Sequence, residues 1–215
     1  MKTRRVNKPF LFFIVTFILA LFPISNAISA DLSAPQIAIE STSNKLKDKL
    51  QDESFTKDFA QINIFVDNVI NPHVDFNRIS ALVLGKLWKK ATKEEKLRFK
   101  EEFKRLLIRT YSRAFLEFKD WSVRFLPLKM KEDTRKVIVK TEILQPGIQP
   151  LSVNYRMVLS RGEWKVYDIM IEGVSLVTNY RTSFKNEVKK SGSLMTVIDQ
   201  LEKKNTAALL VKTES

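Results

Sequence analysis

The sequence predicts an α+β domain in which a helical half precedes an antiparallel sheet. Between residues 33 and 118 apolar residues recur every three or four positions, as they do on one face of a helix. Between residues 121 and 172 they recur at every second position, as in half-buried strands, and short turn signals separate the runs. Helices that come before the strands, rather than alternating with them, are typical of the α+β class.

The first thirty residues predict an export signal. Four basic residues precede an apolar run, Phe10 to Phe22, which is shorter than the roughly 20 residues of a membrane span. Small residues then offer cleavage sites after Ala27 or Ala30. An uncleaved anchor is the alternative, but the short run favours cleavage. We therefore expect a signal peptide at 1–30, a folded domain at 31–204 and a flexible tail at 205–215. The mature protein is expected to be exported from the cytoplasm.

Composition restricts the chemistry. The chain has no cysteine, which excludes disulfides, thiolate metal sites, thiol catalysis and a lipidated N-terminus. Removing residues 1–30 takes away four basic and no acidic residues and lowers the net charge from +13 to +9. Outside the cytoplasm, phospholipid headgroups, lipopolysaccharide and acidic proteins are more suitable polyanions than nucleic acid. A basic surface that serves only solubility explains the charge equally well.

Several helices are predicted from their N-terminal signals. Ser33 and Gln36 enclose an early proline, and Thr92 and Glu95 form a capping box. Gly85 stands where a C-terminal cap is expected. The first predicted helix starts at Ser33. Three more are predicted from Phe55 to Ile70, from Asp75 to Leu84 and from Thr92 to about Phe118. Two further helices, over about Leu176–Lys190 and Ser193–Lys203, are predicted to close the domain.

Four or five strands are predicted between these helices. Pro146-Gly147 and Arg161-Gly162 are turn signals, so the strands form an antiparallel meander. The strands are centred on Trp121–Phe125, Val137–Ile143, Leu151–Leu159 and Trp164–Val174. Alternation in the last strand places Tyr167, Ile169 and Ile171 on one face. Trp164, Val166 and Met170 then occupy the other face, which indicates a strand buried on both sides.

Catalytic patterns are weak in this chain. His73 is the only histidine, and its place after Pro72 predicts a helix-terminal residue that compensates the helix dipole. Asp168 and Glu172 share one face of a strand, but four residues separate them by about 13 Å. A glycosidase needs two carboxylates about 5–9.5 Å apart. Glycine-rich phosphate loops and a nucleophile elbow are also missing from the sequence, so an enzyme, such as a cell-wall hydrolase, is not predicted.

Two extended motifs resemble signatures of a known family. The first comprises Pro72-His73-Val74-Asp75-Phe76, Leu84-Gly85, Trp88, Thr92, Phe99, Phe103 and Thr110-Tyr111. The second comprises Trp164-Lys165-Val166-Tyr167-Asp168, Glu172-Gly173-Val174-Ser175-Leu176, Asn179-Tyr180-Arg181 and Phe184. In this order and separation they resemble the MlaC family of toluene-tolerance and auxiliary ABC-transport proteins. The resemblance covers roughly residues 33–204.

The resemblance implies a periplasmic lipid carrier of a Gram-negative envelope. Its fold is expected to be NTF2-like, with helices and a curved sheet enclosing an apolar pocket. The expected partners are a phospholipid ligand, an inner-membrane ABC transporter with an MCE-domain subunit, and an outer-membrane lipoprotein complex, with no cofactor. A hopanoid or other isoprenoid is the alternative cargo. An NTF2-like envelope adaptor with a filled core is the alternative of a different class.

On this resemblance, apolar and aromatic residues of the long helix, the sheet and the following helix are expected to line the pocket. The expected lining is Phe103, Leu107, Tyr111, Tyr155, Met157, Ile169, Ile171, Val174, Leu176 and Tyr180. Arg105, Arg109 and Arg113 form a basic edge on the long helix, which is either a contact for a membrane or partner or a plain solvated surface. Arg181 either meets a lipid phosphate or supports the fold by pairing with Asp168 or Glu172.

Overall fold

The computed structural model describes residues 32–52, 54–117 and 120–210, except for the side chains of residues 113–117, 209 and 210. The helical half contains α1 (Ala34–Leu50), α2 (Phe59–Ile70), α3 (Phe76–Leu84), α4 (Lys86–Lys90) and α5 (Lys93–Glu117), with short 3-10 helices at Phe55–Lys57 and Asn71–His73. No helix of these described segments is long and apolar enough to cross a membrane.

The helix starts predicted at Ser33 and Thr92 are confirmed by their caps. The backbone N–H of Ser33 donates to Oε1 of Gln36 over 3.0 Å. Thr92 and Glu95 exchange reciprocal bonds, with Thr92 N–H donating to Glu95 Oε2 over 2.8 Å and Glu95 N–H donating to Thr92 Oγ1 over 3.1 Å. These bonds satisfy N–H groups that the first helical turn leaves without partners.

Two helical features differ from the prediction. The helix predicted from Phe55 to Ile70 is interrupted at Asp58, whose carboxylate accepts from the N–H groups of Ala60 and Gln61 and so starts α2. The short helix α4 was not predicted. It begins directly after Gly85, which adopts φ 54° and ψ −113° and turns the chain between α3 and α4.

The sheet is a five-stranded antiparallel meander in the order β1-β2-β3-β4-β5. Its strands are β1 (Ser122–Phe125), β2 (Lys136–Gln145), β3 (Ile148–Ser160), β4 (Glu163–Ile171) and β5 (Val174–Ser175). The α+β class and the meander are therefore confirmed. The β3–β4 turn is formed by Arg161 and Gly162, as predicted.

A bulge in β4 changes the predicted faces of that strand. Arg156 of β3 pairs with Asp168, whereas the next residue, Met157, pairs with Val166. Tyr167 is therefore the extra residue of a β-bulge. The bulge reverses the alternation, so that Trp164 and Val166 lie on the same face as Ile169 and Ile171. The predicted assignment of side chains to the two faces of the strand was wrong, because strict alternation assumes a strand without a bulge.

Two helices complete the chain, α6 (Leu176–Ser191) and α7 (Leu194–Leu210). Helix α6 packs against α3, α7 and β4, and α7 packs against α5. The last helix continues six residues beyond the domain boundary expected at residue 204. Asn205 explains this extension, because its side chain is 3% exposed and donates to the backbone oxygen and Oε2 of Glu102, each over 2.9 Å. Residues 211–215 lie outside the described part of the chain.

Candidate functional site

The buried apolar residues separate into three clusters. The helical cluster joins α3, α5, α6 and α7 and comprises Ile79, Val83, Leu84, Phe99, Phe103, Val177, Phe184, Leu194, Val197, Ile198 and Leu201. The sheet cluster comprises Ile39, Val137, Val139, Met157, Trp164 and Val166. The α2 cluster comprises Leu46, Phe59, Ile62, Val66 and Ile108. A filled core normally forms one contiguous cluster. Because this core is divided, the residues that border the three clusters are the candidates for contact with a ligand.

One face of the sheet carries most of its apolar side chains. Strand register places Val137, Val139, Thr141 and Ile143 of β2 opposite Met157, Tyr155, Val153 and Leu151 of β3, and Tyr155 and Val153 opposite Ile169 and Ile171 of β4. This apolar face is buried where it holds Val139 and Met157, at the sheet cluster. It is only half-buried at Ile143, Leu151 and Ile171. The apolar face thus extends beyond the cluster that covers its first part.

Half-buried apolar side chains border each of the three clusters. Leu107 of α5 and Tyr180 of α6 are half-buried at the margin of the helical cluster. Tyr155 and Ile169 are half-buried at the margin of the sheet cluster. Phe65 of α2 holds the same position beside the α2 cluster. Apolar surface that is neither packed nor fully exposed is the kind of surface that an apolar ligand covers.

The tyrosine hydroxyls report surroundings of low polarity. Burial raises the pKa of Tyr155 to about 12, against a hydrogen bond with Thr141 that lowers it. The Tyr155 side chain nevertheless keeps solvent-accessible surface. Burial also raises the pKa values of Tyr111 and Tyr180, whose hydroxyls are hydrogen-bonded to each other. The Tyr111–Tyr180 pair joins α5 to α6 through polar atoms that water does not fully hydrate.

The ten side chains expected to line a pocket fall into three groups. Phe103 and Met157 are fully buried, at 1% and 0% exposure. Leu107, Tyr111, Tyr155, Ile169, Ile171, Leu176 and Tyr180 are half-buried. Val174 is 60% exposed in the short strand β5. The half-buried group is the one that remains available to a ligand.

Phe103 is held by other aromatic rings. Its centroid lies 5.5 Å from that of Phe99, 5.0 Å from Tyr180 and 5.6 Å from Phe184. Offset and edge-to-face pairs at these separations stabilise a core beyond the area they bury. Phe103 thus packs the junction of α5 and α6, and Tyr180 is the half-buried member of this group.

The basic edge predicted on α5 is not uniform. Arg105 is exposed and pairs with Glu102 over 3.0 Å. Arg109 is half-buried, and its Nε is inaccessible to solvent without a hydrogen-bond partner among the described residues. The Arg113 side chain lies outside the described part of the structure. Arg181 supports the fold, but its predicted partners were wrong: its Nε donates to the backbone oxygen of Leu82 over 2.7 Å.

The two carboxylates considered for catalysis have structural partners. Asp168 is 3% exposed and accepts hydrogen bonds from Ser175 Oγ (2.7 Å), the Val177 N–H (3.1 Å) and Arg156 Nη1 (3.2 Å). It therefore anchors the start of α6 to β4. Glu172 accepts from the Ser152 N–H. Among the described residues no three His, Asp or Glu side chains are placed to hold a metal ion.

The family model described as MlaC protein matches residues 40–203. The chain belongs to the MlaC family. It is 25% identical over 196 residues to the intermembrane phospholipid transport system binding protein MlaC of Haemophilus influenzae, with 88% of this chain and 91% of that protein covered. It is also 25% identical over 179 residues to the toluene tolerance protein ttg2D of Pseudomonas putida, with 82% and 81% covered.

A solved structure extends the family likeness to three dimensions. The phospholipid-binding protein of Ralstonia solanacearum, determined in complex with a phospholipid at 1.53 Å resolution, superposes on this chain with a TM-score of 0.74. The two sequences are 26% identical, and the match covers 81% of this chain and 98% of that one. The resemblance on which the sequence prediction rested is therefore confirmed.

Some candidate residues escaped the sequence prediction. Ile143 and Leu151 share the apolar face with Tyr155 and are half-buried, although neither was expected to line a pocket. The sequence contained a signal for both residues. Each is an even number of residues from a predicted lining position on its own or the neighbouring strand, and such spacing places side chains on the same face. Phe65 carried no such signal, since a helical stripe of phenylalanines predicts core as readily as a ligand surface.

Proposed function

We propose that this protein is a periplasmic phospholipid carrier. The acyl chains of its bound lipid lie between the apolar face of the sheet and helices α5 and α6. The observation that carries the proposal is the likeness to the Ralstonia protein bound to a phospholipid, over 98% of that chain. The names of the Haemophilus and Pseudomonas relatives support a role in phospholipid transport and toluene tolerance. These relatives do not favour a hopanoid cargo.

The proposed lining combines predicted and newly recognised side chains. All are half-buried, and none belongs to the buried residues of a cluster. They are Leu107, Tyr111, Ile143, Leu151, Tyr155, Ile169, Ile171 and Tyr180.

The enclosure has a clear physical purpose. Exposing acyl chains to water costs about 0.8 kcal/mol per methylene, or on the order of 20 kcal/mol for two chains of about fifteen carbons. A lipid therefore crosses an aqueous compartment only inside an apolar sleeve.

The proposed carrier needs no covalent chemistry. Its cargo enters and leaves unchanged, so we propose that the protein is not an enzyme and takes no cofactor. The leader at residues 1–30 supports export to the periplasm. The proposed route runs between an outer-membrane lipoprotein complex and an inner-membrane ABC transporter with an MCE-domain subunit, in maintenance of outer-membrane lipid asymmetry. In this route the NTF2-like arrangement of sheet and helices serves as a container.

Tryptophan substitutions test where the lipid lies. Ile171→Trp places a large ring on the half-buried part of the apolar face. It should lower the phospholipid extracted per protein several-fold, while the free energy of unfolding changes by less than about 1 kcal/mol. Met157→Trp should instead cost about 1–3 kcal/mol by overpacking the sheet cluster. The measurements are lipid mass spectrometry of solvent extracts and urea unfolding.

Ile138→Trp is the matched control, because Ile138 of β2 is 41% exposed and pairs with Arg156 on the opposite face of the sheet. It should leave both lipid content and stability at the wild-type values. A full lipid complement in Ile171→Trp would contradict the proposed lining. Destabilisation of Ile171→Trp as large as that of Met157→Trp would instead favour the filled core of an envelope adaptor.

A further inference from the structure

Helices α4 and α6 carry a group of cations that the lipid site does not use. Lys86, Lys89 and Lys90 lie three and four residues apart and therefore share one side of α4. Arg181, Lys185 and Lys189 follow each other at intervals of four and share one side of α6. All six side chains are exposed. The α4–α6 basic patch consists of Lys86, Lys89, Lys90, Arg181, Lys185 and Lys189.

Hydrogen bonds bring α6 close to α3, the helix that α4 follows. Helices α3 and α6 both start against β4, where the Asp75 N–H donates to the Val166 oxygen and the Val177 N–H donates to Asp168. Further along, Arg181 Nε donates to the Leu82 oxygen. The two helices therefore advance side by side in the same direction. Helix α4 begins directly after α3, and a Cβ on Gly85 at that junction would lie 3.9 Å from Arg181 Nε, so α4 starts beside the first cation of α6.

The charges of the patch are not neutralised within the protein. None of the six residues forms an ion pair with a carboxylate of the described residues. Other cations of the chain do so: Arg98 pairs with Asp199 and Glu202. Glu187 is the only acidic residue in α6. It is two positions from both Lys185 and Lys189, about 200° around the helix, and so faces away from them.

The composition of the patch distinguishes between two anionic partners. Five of its six cations are lysines. Lysine is depleted from protein–protein interfaces, where arginine and aromatic residues predominate. Clustered lysines instead suit the diffuse negative potential of an anionic bilayer, to which each contributes without a fixed geometry. The patch therefore fits a lipid surface better than an acidic protein.

We propose that the α4–α6 basic patch docks the protein reversibly on anionic phospholipid membranes. This role is separate from the cargo site, because it depends on charges outside the helical cluster. Each basic residue near such a surface strengthens binding about five-fold. Six such contacts produce a reversible association that weakens as salt screens the charges beyond about 10 Å at 0.1 M.

The experiment is co-sedimentation with vesicles of phosphatidylglycerol or of phosphatidylcholine. The patch variant Lys86→Gln/Lys185→Gln/Lys189→Gln removes three charges but leaves Arg181 in its bond to Leu82. The control variant Lys129→Gln/Lys136→Gln/Lys140→Gln removes three exposed lysines that form no ion pair with the described residues. Both variants carry the same net charge, and thermal unfolding establishes that both are folded.

The wild type should bind phosphatidylglycerol vesicles, bind phosphatidylcholine weakly, and lose affinity as salt rises. The patch variant should bind about a hundred-fold more weakly, and the control should lose less than ten-fold. No binding by the wild type at low salt would overturn the proposal, as would equal losses in both variants. Unchanged vesicle binding with lost delivery to a protein acceptor would also overturn it and assign the patch to an acidic protein. Extractable phospholipid in each variant reports the cargo site independently.

Discussion

At the scale of single residues, Asp168 connects the sheet to the helix that follows it. Its buried carboxylate accepts from Ser175, Val177 and Arg156. Replacement by alanine leaves the buried Val177 N–H and the half-buried Ser175 hydroxyl without this acceptor. Asp168→Ala should therefore lower the free energy of unfolding by roughly 2–4 kcal/mol, measured by urea denaturation.

Glu172→Ala is the control for this prediction, because Glu172 is exposed and accepts one backbone N–H. It should change the free energy of unfolding by less than about 1 kcal/mol. Equal effects of the two substitutions would contradict the anchoring role of Asp168.

His73 predicts a dependence of stability on pH. Burial lowers its pKa from the ordinary 6.5, and the charges of Lys165 and Lys45 lower it further. The unfolded chain therefore binds the proton more tightly than the folded chain. As pH falls through 6.5 towards the lower folded pKa, stability is lost. It is fully retained above this window.

His73→Gln should remove this part of the pH dependence, because glutamine does not titrate. Urea unfolding of wild type and variant between about pH 5.5 and 7.5 compares the two slopes. A wild type that gains stability on acidification in this range would indicate a raised pKa, as a histidine that compensates a helix dipole requires. The structure favours desolvation over that dipole interpretation.

Residue roles were harder to predict than residue positions. Spacing along the strand predicted that Asp168 and Glu172 lie too far apart for glycosidase chemistry. It could not show that Asp168 caps α6, because the cap depends on how the chain turns back at Ser175. Arg181 was expected either to meet a lipid phosphate or to pair with Asp168 or Glu172, but its carbonyl partner in α3 is 99 residues away in sequence.

At the scale of elements, Gly85 determines how α4 follows α3. Its φ of 54° and ψ of −113° lie outside the regions that residues with a Cβ occupy. A Cβ at this position would meet nothing closer than Arg181 Nε at 3.9 Å, so the cost of a side chain there is conformational rather than steric. Gly85→Ala should lower stability by roughly 2–3 kcal/mol in thermal or urea unfolding.

Gly192→Ala provides the comparison, because Gly192 caps α6 in the ordinary left-handed region, at φ 78° and ψ −9°. Alanine there should cost only roughly 1 kcal/mol. Gly85→Ala as mild as Gly192→Ala would show that the α3–α4 junction relaxes to another conformation.

The end of α7 is an element that the sequence underestimated. Asn205 fixes it to α5 through Glu102. Asn205→Ala should cost roughly 1–3 kcal/mol, because it leaves a buried carboxylate oxygen with fewer partners. Thr206→Ala, at the exposed neighbouring position, should change stability by less than about 0.5 kcal/mol. Equal stability of the two variants would contradict the anchoring of α7 by this contact.

Most elements could be predicted because their signals are local. The capping boxes at Ser33 and Thr92 and the turn at Arg161 depend on residues within a few positions of each other. The break at Asp58 was missed because the apolar spacing continues across it. The bulge at Tyr167 was missed for a similar reason: an apolar residue on either face of β4 preserves the appearance of alternation.

At the scale of the whole molecule, the fold class and the family could be predicted and are confirmed. The detailed lining could not, because it depends on how three apolar clusters approach one another. Phe103 and Leu107 are one turn apart on α5, yet one is buried within the helical cluster and the other borders it. Tertiary packing sets that difference in burial, and the apolar periodicity of a single helix does not predict it.

The central claim is that the protein carries phospholipid in the space that its three clusters border. Native mass spectrometry of the protein purified from the cells that export it tests this claim most directly. The account predicts a mass above that of the polypeptide, with phospholipid released when the complex is activated in the gas phase. A polypeptide that is detected at its own mass without lipid, and that stays empty after incubation with phospholipid vesicles, would contradict it.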